Sequence, residues 1–184
     1  HLEAIQEFNG TQPVTRFVPY ENPGSWEILL VCRDRVGLFN RICAAMMLEN
    51  FSIIEARLNT RSDGIVANNL VIRDALGNRE IPPGRRNLLL DRIRRILAPD
   101  AKMPPVPRGL GSVSLGRSSF ESTVKIANDS SARFTVIVVR CADRHGLLMD
   151  LSSVLSSLNI NIHFARIITE GNRVTDVFYV ADSA

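Results

Sequence analysis

Two lysines, one tryptophan and three cysteines are all that these 184 residues contain of those types. Each scarcity excludes something. Cys32, Cys43 and Cys141 are odd in number and form no Cys-x-x-Cys pair. That argues against a disulfide scaffold and fits a reducing cytoplasm. No apolar run approaches the ~20 residues that span a bilayer, so no membrane segment is expected. With Lys102 and Lys125 the only lysines, the positive charge is nearly all arginine and the net charge is only +3. Such a balance is weak evidence for nucleic acid. His145 and His163 have no acids or cysteines at metal-ligand spacing, which argues against a metal site. Neither an initiator Met nor a basic-then-apolar leader stands at the start, so the chain reads as a fragment of something longer.

What is present is an internal duplication. Asp34-Arg35-Val36-Gly37-Leu38 returns as Asp143-Arg144-His145-Gly146-Leu147, 109 positions later. The same offset pairs Cys32 with Cys141, Asn50 with Asn159, Ile53 with Ile162, Thr60 with Thr169, and Ala56-Arg57 with Ala165-Arg166. One small module used twice must be explained. The apolar share of 45% lets each copy bury a modest core, so packing between the copies should contribute to stability.

Within a copy, the apolar run Trp26 to Val31, or Phe134 to Val139, reads as a central strand. The Asp-Arg-x-Gly loop then ends the strand and opens a helix, with the Asp placed to cap free N–H groups. Leu38, Ile42, Ala45 and Met46 share one face of the first helix; Leu147, Leu151, Val154, Leu155 and Leu158 share one face of the second. Asn50 and Asn159 suit the left-handed helix ends. Ser52 to Leu58 and Asn161 to Ile167 read as strands, and Ile65 to Ile72 and Val174 to Val180 as their partners across a turn. Val14 to Val18 and Thr123 to Ala127 read as leading strands joined to the central ones as hairpins. Asn87 to Leu97 is a second helix, whose Arg85, Arg86, Arg92, Arg94 and Arg95 read as a solvated face. The second copy stops before such a helix.

The expected fold class is therefore α+β: two ferredoxin-like modules in β-β-α-β-β-α order. Each is a four-stranded antiparallel sheet with helices on one face, the leading hairpin strand standing where a ferredoxin-like sheet has its last strand. The expected boundaries are a lead-in at 1–11, a first module at 12–97, a linker at 98–119, rich in Pro, Gly and Ser, and a truncated second module at 120–184.

A strand, an Asp-Arg-x-Gly-Leu loop opening a helix, then Asn161-Ile162 with Ala165-Arg166 on the next strand resembles the ACT domain, an amino-acid-binding regulatory module. The tandem spacing, with Asp176-Val177-Phe178-Tyr179-Val180, resembles the C-terminal ACT pair of the PII uridylyltransferase/uridylyl-removing enzymes. Val36 and His145 stand where that pattern has Pro. The resemblance implies glutamine sensing, upstream catalytic domains that use Mg²⁺, and the PII signalling protein as partner of the parent. The chain itself carries no paired Asp residues for Mg²⁺ and no His-Asp dipeptide, so it reads as non-catalytic and without a cofactor of its own.

The repeated loop has a binding logic. Gly lets a ligand approach the backbone. Helix-start N–H groups attract a carboxylate. A side-chain carboxylate can hold an ammonium. The same residues also suit a tight turn capped by Asp, and from the residues alone the turn is favoured. The resemblance reverses that for Asp143, Arg144, His145, Gly146 and Leu147, and extends it to Asp34, Arg35, Gly37 and Leu38. It also implies a ligand contact at Asn161, which Ser52 replaces in the first copy. The second module, holding Asp143, Gly146 and Asn161, is expected to carry most of the binding. Two rivals are a ligand-free dimerisation pair and an RNA-binding ferredoxin-like module, the latter requiring exposed strand aromatics. An uncovered sheet in the second module implies self-association.

Overall fold

The computed structural model of the chain describes residues 2–35, 37–104, 121–129, 131–144 and 146–182. The expected hairpin opens the first module. Strand β1 (Val14–Pro19) pairs antiparallel with β2 (Ser25–Arg33), from Val14 opposite Val31 to Pro19 opposite Trp26. Helix α2 (Leu38–Leu48) follows, ended by Asn50 at φ 57°. Strands β3 (Phe51–Arg57) and β4 (Ile65–Asp74) then lead to α3 (Pro83–Ile96). Pro83 starts α3 where a missing N–H costs nothing. The second module repeats the order with β5 (Thr123–Ala127), β6 (Thr135–Ala142), α4 (Leu147–Ser157), β7 (Ile160–Glu170) and β8 (Arg173–Asp182). Asn159, at φ 56°, ends α4 as Asn50 ends α2.

All eight strands form one antiparallel sheet in the order β1-β2-β4-β3-β7-β8-β6-β5. In both halves the hairpin strand lies beside the central strand, as the repeat pattern predicts. The modules meet at β3 and β7, where Ala56 lies opposite Ala165, its own counterpart in the duplication. A local two-fold axis therefore passes between the two alanines. Both are fully buried, and their small size lets the helices above come close. Over this seam α2 and α4 run antiparallel, tied by Asn40 Nδ2 donating to Met149 O at 2.9 Å and to Ser152 Oγ at 3.2 Å.

One core spans both modules. Ile28, Leu30, Ile42, Leu70 and Ile93 of the first join Leu155, Ala165, Phe178 and Val180 of the second. Burying each large apolar side chain contributes ~1.5–3 kcal/mol. A short helix outside the repeat, α1 (Leu2–Glu7), closes the other face of the first module. There Ala4 and Phe8 cover Leu29, Val31 and Ala67. The lead-in is thus structural, and helices occupy both faces of the first half-sheet.

Three expectations change. The α3 arginines are not simply solvated: Arg85 pairs with buried Asp74 at 2.7 Å, Arg92 with Glu49 at 2.7 Å, and Arg86 lies over the Trp26 ring at 4.1 Å. Three of the five thus pin α3 to its own module. On α4 the expected apolar face is only half used. Leu147 and Leu155 are buried, whereas Val154 and Leu158 are 57% and 63% exposed. Val124 and Ile126 on β5 are exposed as well, and their counterparts Thr15 and Phe17 are buried and half-buried in the first module. No described residue follows β8 as a helix to cover this face. The third change, at the helix caps, belongs to the site. Residues 105–119 of the expected linker lie outside the described residues.

Candidate functional site

The two repeated loops sit at the seam, one on each side of the two-fold axis. Gly37 and Gly146 adopt φ 72° and 78°, a left-handed geometry that glycine accepts without strain. These glycines, not the aspartates, are the residues before the helices, and no side chain caps either helix. Leu38 N–H donates to Arg35 O at 3.1 Å and Leu147 N–H to Arg144 O at 3.2 Å, so each loop turns back on its own helix start. The expected Asp cap is replaced by a local turn. Asp34 Oδ1 accepts the Arg35 N–H at 2.8 Å, and its Oδ2 accepts the Thr60 hydroxyl at 3.2 Å. The Asp34 and Asp143 N–H groups donate to Gly64 O and Asn172 O, both at 2.9 Å, anchoring each loop to its own hairpin. Leu38 and Leu147 point into the core.

Antiparallel pairing across the axis crosses the modules over. Asn161, at the start of β7, lines a cleft with Asp34, Arg35, Gly37 and Leu38 of the first module. Ser52, at the start of β3, lines another with Asp143, Arg144, Gly146 and Leu147 of the second. Asp143 and Asn161, expected together in one site, are thus divided between two. Each loop glycine is approached from the opposite module. A Cβ at Gly146 would stand 2.9 Å from Met47 Sδ, and one at Gly37 3.2 Å from Ser156 Oγ. Both clefts are therefore composite. His145 lies outside the described residues, as does Val36.

The clefts differ in size and chemistry. The Asp143 cleft encloses about 790 Å³, within the ~300–1,000 Å³ of small-molecule sites. The Asp34 cleft holds about 60 Å³, space for a few waters. His163 fills part of the smaller one, its ring 4.8 Å from Phe134 and its carbonyl accepting the Leu58 N–H at 2.9 Å. Burial and the nearby Arg133 lower its pKa, so it is a neutral wall near neutral pH. The loop arginines differ too. Arg35 donates to the carbonyls of Ile96, Ala98 and Pro99 at the end of α3, joined there by Arg41. Arg144 instead pairs with Asp150 at 2.5 Å. Arg35 is therefore occupied in holding the fold, while Arg144 stays at the mouth of the larger cleft.

Burial pushes the Cys32 and Cys43 thiols up to about 12 and raises that of Cys141, so all three stay protonated near neutral pH. Among the described residues no three His, Cys, Asp or Glu side chains are grouped to hold a metal ion. Among the described residues no helix is long and apolar enough to cross a membrane.

Asp176 opens the Asp176-to-Val180 motif but receives no site role from the sequence, although it lines the Asp143 cleft and is only 1% exposed. A signal existed. Val174, Asp176, Phe178 and Val180 occupy the buried phase of β8, and an acid in an apolar phase marks a side chain with a special environment.

Comparison with known proteins places this geometry. Residues 135–184, covering most of the second module, match the ACT domain family. The chain is 35% identical over 181 residues to a bifunctional uridylyltransferase/uridylyl-removing enzyme of Gluconobacter oxydans, covering 92% of this chain and 18% of that protein. The enzyme of the same description from Novosphingobium aromaticivorans is 32% identical over 165 residues, covering 89% of this chain and 18% of its own length. The one from Vibrio atlanticus is 25% identical across all 184 residues, 21% of its length. This chain thus spans about a fifth of the relatives it matches. No solved structure gives a significant match. With its repeated ferredoxin-like fold, the chain belongs to the bifunctional uridylyltransferase/uridylyl-removing enzyme family, as its ACT-domain region.

Proposed function

We propose that this ACT pair is an amino-acid sensor, that glutamine is its ligand, and that the Asp143 cleft is the binding site. One observation carries the reading: the larger of the two described seam clefts has the size of a small-molecule site and is built from the loop of one module and a strand of the other. A ligand there touches both halves and so favours one arrangement of them. The positive end of the α4 dipole suits a carboxylate, the carboxylates of the cleft suit an ammonium, and Ser52 with Arg144 offers polar contacts to a side-chain amide.

In the whole protein such a shift in population would be transmitted to catalytic domains outside this chain. Those domains would transfer uridylyl groups to the PII signalling protein and remove them, in the cytoplasm. Mg²⁺ would serve there, since no group of ligands among the described residues offers it a place here.

A ligand-free structural role is favoured for the Asp34 cleft alone, whose ~60 Å³ cannot admit an amino acid. The RNA-binding reading gains little: Phe178 is buried in the core and Tyr179 packs edge-on against Phe164. Thermal unfolding with each of the twenty amino acids tests the proposal. Glutamine at a hundred times its Kd should stabilise the chain by ~2.7 kcal/mol, about 5–10 °C in Tm. No shift with any amino acid would overturn it.

A further inference from the structure

Asp176 is a buried acid without a visible partner. It is 1% exposed, it lines the Asp143 cleft, and its Oδ1 has no hydrogen-bond partner among the described residues. Leaving such an oxygen unpaired costs ~1–3 kcal/mol, so the sequence retains a feature that burdens the empty fold. The mirrored position shows what a satisfied residue looks like. Leu30 lies opposite Asn68 on β4, and Val139, the counterpart of Leu30, lies opposite Asp176 on β8. Asn68 is equally buried, but its Oδ1 accepts the Asn59 N–H at 3.1 Å. The smaller cleft thus has a neutral, occupied amide where the larger has an unoccupied carboxyl.

Among the described residues no cation pairs with Asp176, although Arg73, Arg144 and Arg166 line other parts of the same cleft. The ionisable groups whose charge reaches it are Asp143 from the β6–α4 loop, Cys43 from α2 and Cys141 from β6. None is a cation. We propose that Asp176, with Asp143, forms the receptor for a protonated amine, so that the larger cleft selects ligands bearing an ammonium group and the smaller cleft does not. This rests on the amino-acid reading above and specifies which atoms it uses. The ligand's carboxylate faces the start of α4, and its ammonium supplies the cation that Asp176 lacks.

A consequence follows for protons. Burial first, and Asp143 second, push the Asp176 carboxyl up to about 7. At lower pH it is protonated when the cleft is empty. An arriving ammonium favours the carboxylate, so binding releases the proton. Affinity should then rise with pH, by about tenfold between about pH 6 and pH 8.

Calorimetric titration of the chain and of its Asp176→Asn variant tests this, using glutamine and its analogue without the α-amino group, 4-carbamoylbutanoate. The wild type should show the pH dependence, release a proton below about pH 7, and bind the analogue about ten- to a hundredfold more weakly than glutamine, the loss of one charge-assisted hydrogen bond. Asp176→Asn should bind glutamine about as weakly as the analogue, with a flat pH profile. The analogue measurement needs no variant, so a folding defect in Asp176→Asn cannot hide the answer. If the wild type binds the analogue as tightly as glutamine, or Asp176→Asn keeps both affinity and pH profile, the amine receptor is wrong while amino-acid sensing stands. If no amino acid gives heat with the wild type, both fall.

Discussion

The crossed clefts predict which residues share a ligand. Asp143, Ser52 and Asn161 are replaced by Ala singly, and Asp143 is combined with each of the others. Asp143→Ala removes a charge-assisted contact, worth ~1.5–3 kcal/mol, and should weaken glutamine binding about ten- to a hundredfold. Ser52→Ala removes a neutral hydroxyl from the same cleft, worth ~0.5–1.5 kcal/mol, or about two- to tenfold. Because both residues would touch one ligand, their effects should be coupled by ~0.5 kcal/mol or more. Asn161 lies in the other cleft, where no amino acid fits, so Asn161→Ala should leave affinity unchanged. Combined with Asp143→Ala it should be additive within ~0.3–0.5 kcal/mol. Glutamine calorimetry on the wild type and these five variants completes both cycles. Strong coupling of Asp143 with Asn161, and none with Ser52, would restore a site within one module and refute the crossing.

Further predictions concern the frame that holds the cleft. Asp74 is 2% exposed and accepts Arg85 at 2.7 and 3.2 Å, together with Asn78 and the Leu76 N–H, so Asp74→Ala should cost ~3 kcal/mol in urea unfolding. A loss below ~0.5 kcal/mol would show that α3 is not fastened there. Burial alone would raise the Asp74 carboxyl, but the bonds from Arg85, Asn78 and Leu76 hold it at about 2, below its usual 3.8. A depressed folded pKa means the contribution is complete above about pH 4 and fades as pH falls through about 2, which acid titration of stability would follow. Gly146→Ala forces a non-glycine residue to φ 78° and displaces Met47, so it should cost ~1–2 kcal/mol by the same unfolding assay; an unchanged midpoint would contradict the left-handed cap. Val124, Ile126, Val154 and Leu158 leave an apolar face that a second copy can cover, so light scattering should detect association that Val154→Ser with Leu158→Ser reduces. A strictly monomeric wild type would end that idea.

Much of the module was legible in advance because its signals are local. The continuous apolar runs of β2 and β6 announce central strands, Asn50 and Asn159 announce left-handed helix ends, and Gly37 and Gly146 announce turns. Repetition at a constant offset made each reading of one copy a check on the other. The cap was misread because Asp34 satisfies its oxygens with Arg35 N–H and Thr60, and the second of these comes from the β3–β4 connection, 26 residues away. The α4 face was misread because periodicity shows which residues are apolar, not whether a covering helix exists. The α3 arginines likewise have partners, Asp74 and Glu49, that lie 11 and 43 residues away.

By itself the sequence determined the unit: strand order, the ends of α2 and α4, the glycine turns, the duplication and the family pattern, but not α1 or the start of α3, which begins at Pro83 rather than Asn87. Those depend on dihedral preference and on hydrophobic spacing within about ten residues. Only the tertiary structure decided the clefts. Pairing Ala56 with Ala165 sets β3 beside β7 in antiparallel register and carries the second residue of each strand, Ser52 or Asn161, to the other module's loop. That contact spans 109 residues, and no local preference encodes it. The same closure buries Asp176 beside Asp143 and leaves Asn68 satisfied. Two loops of nearly one sequence thereby acquire different surroundings, because charge, volume and hydrogen-bond supply are properties of neighbours in space rather than of neighbours in the chain.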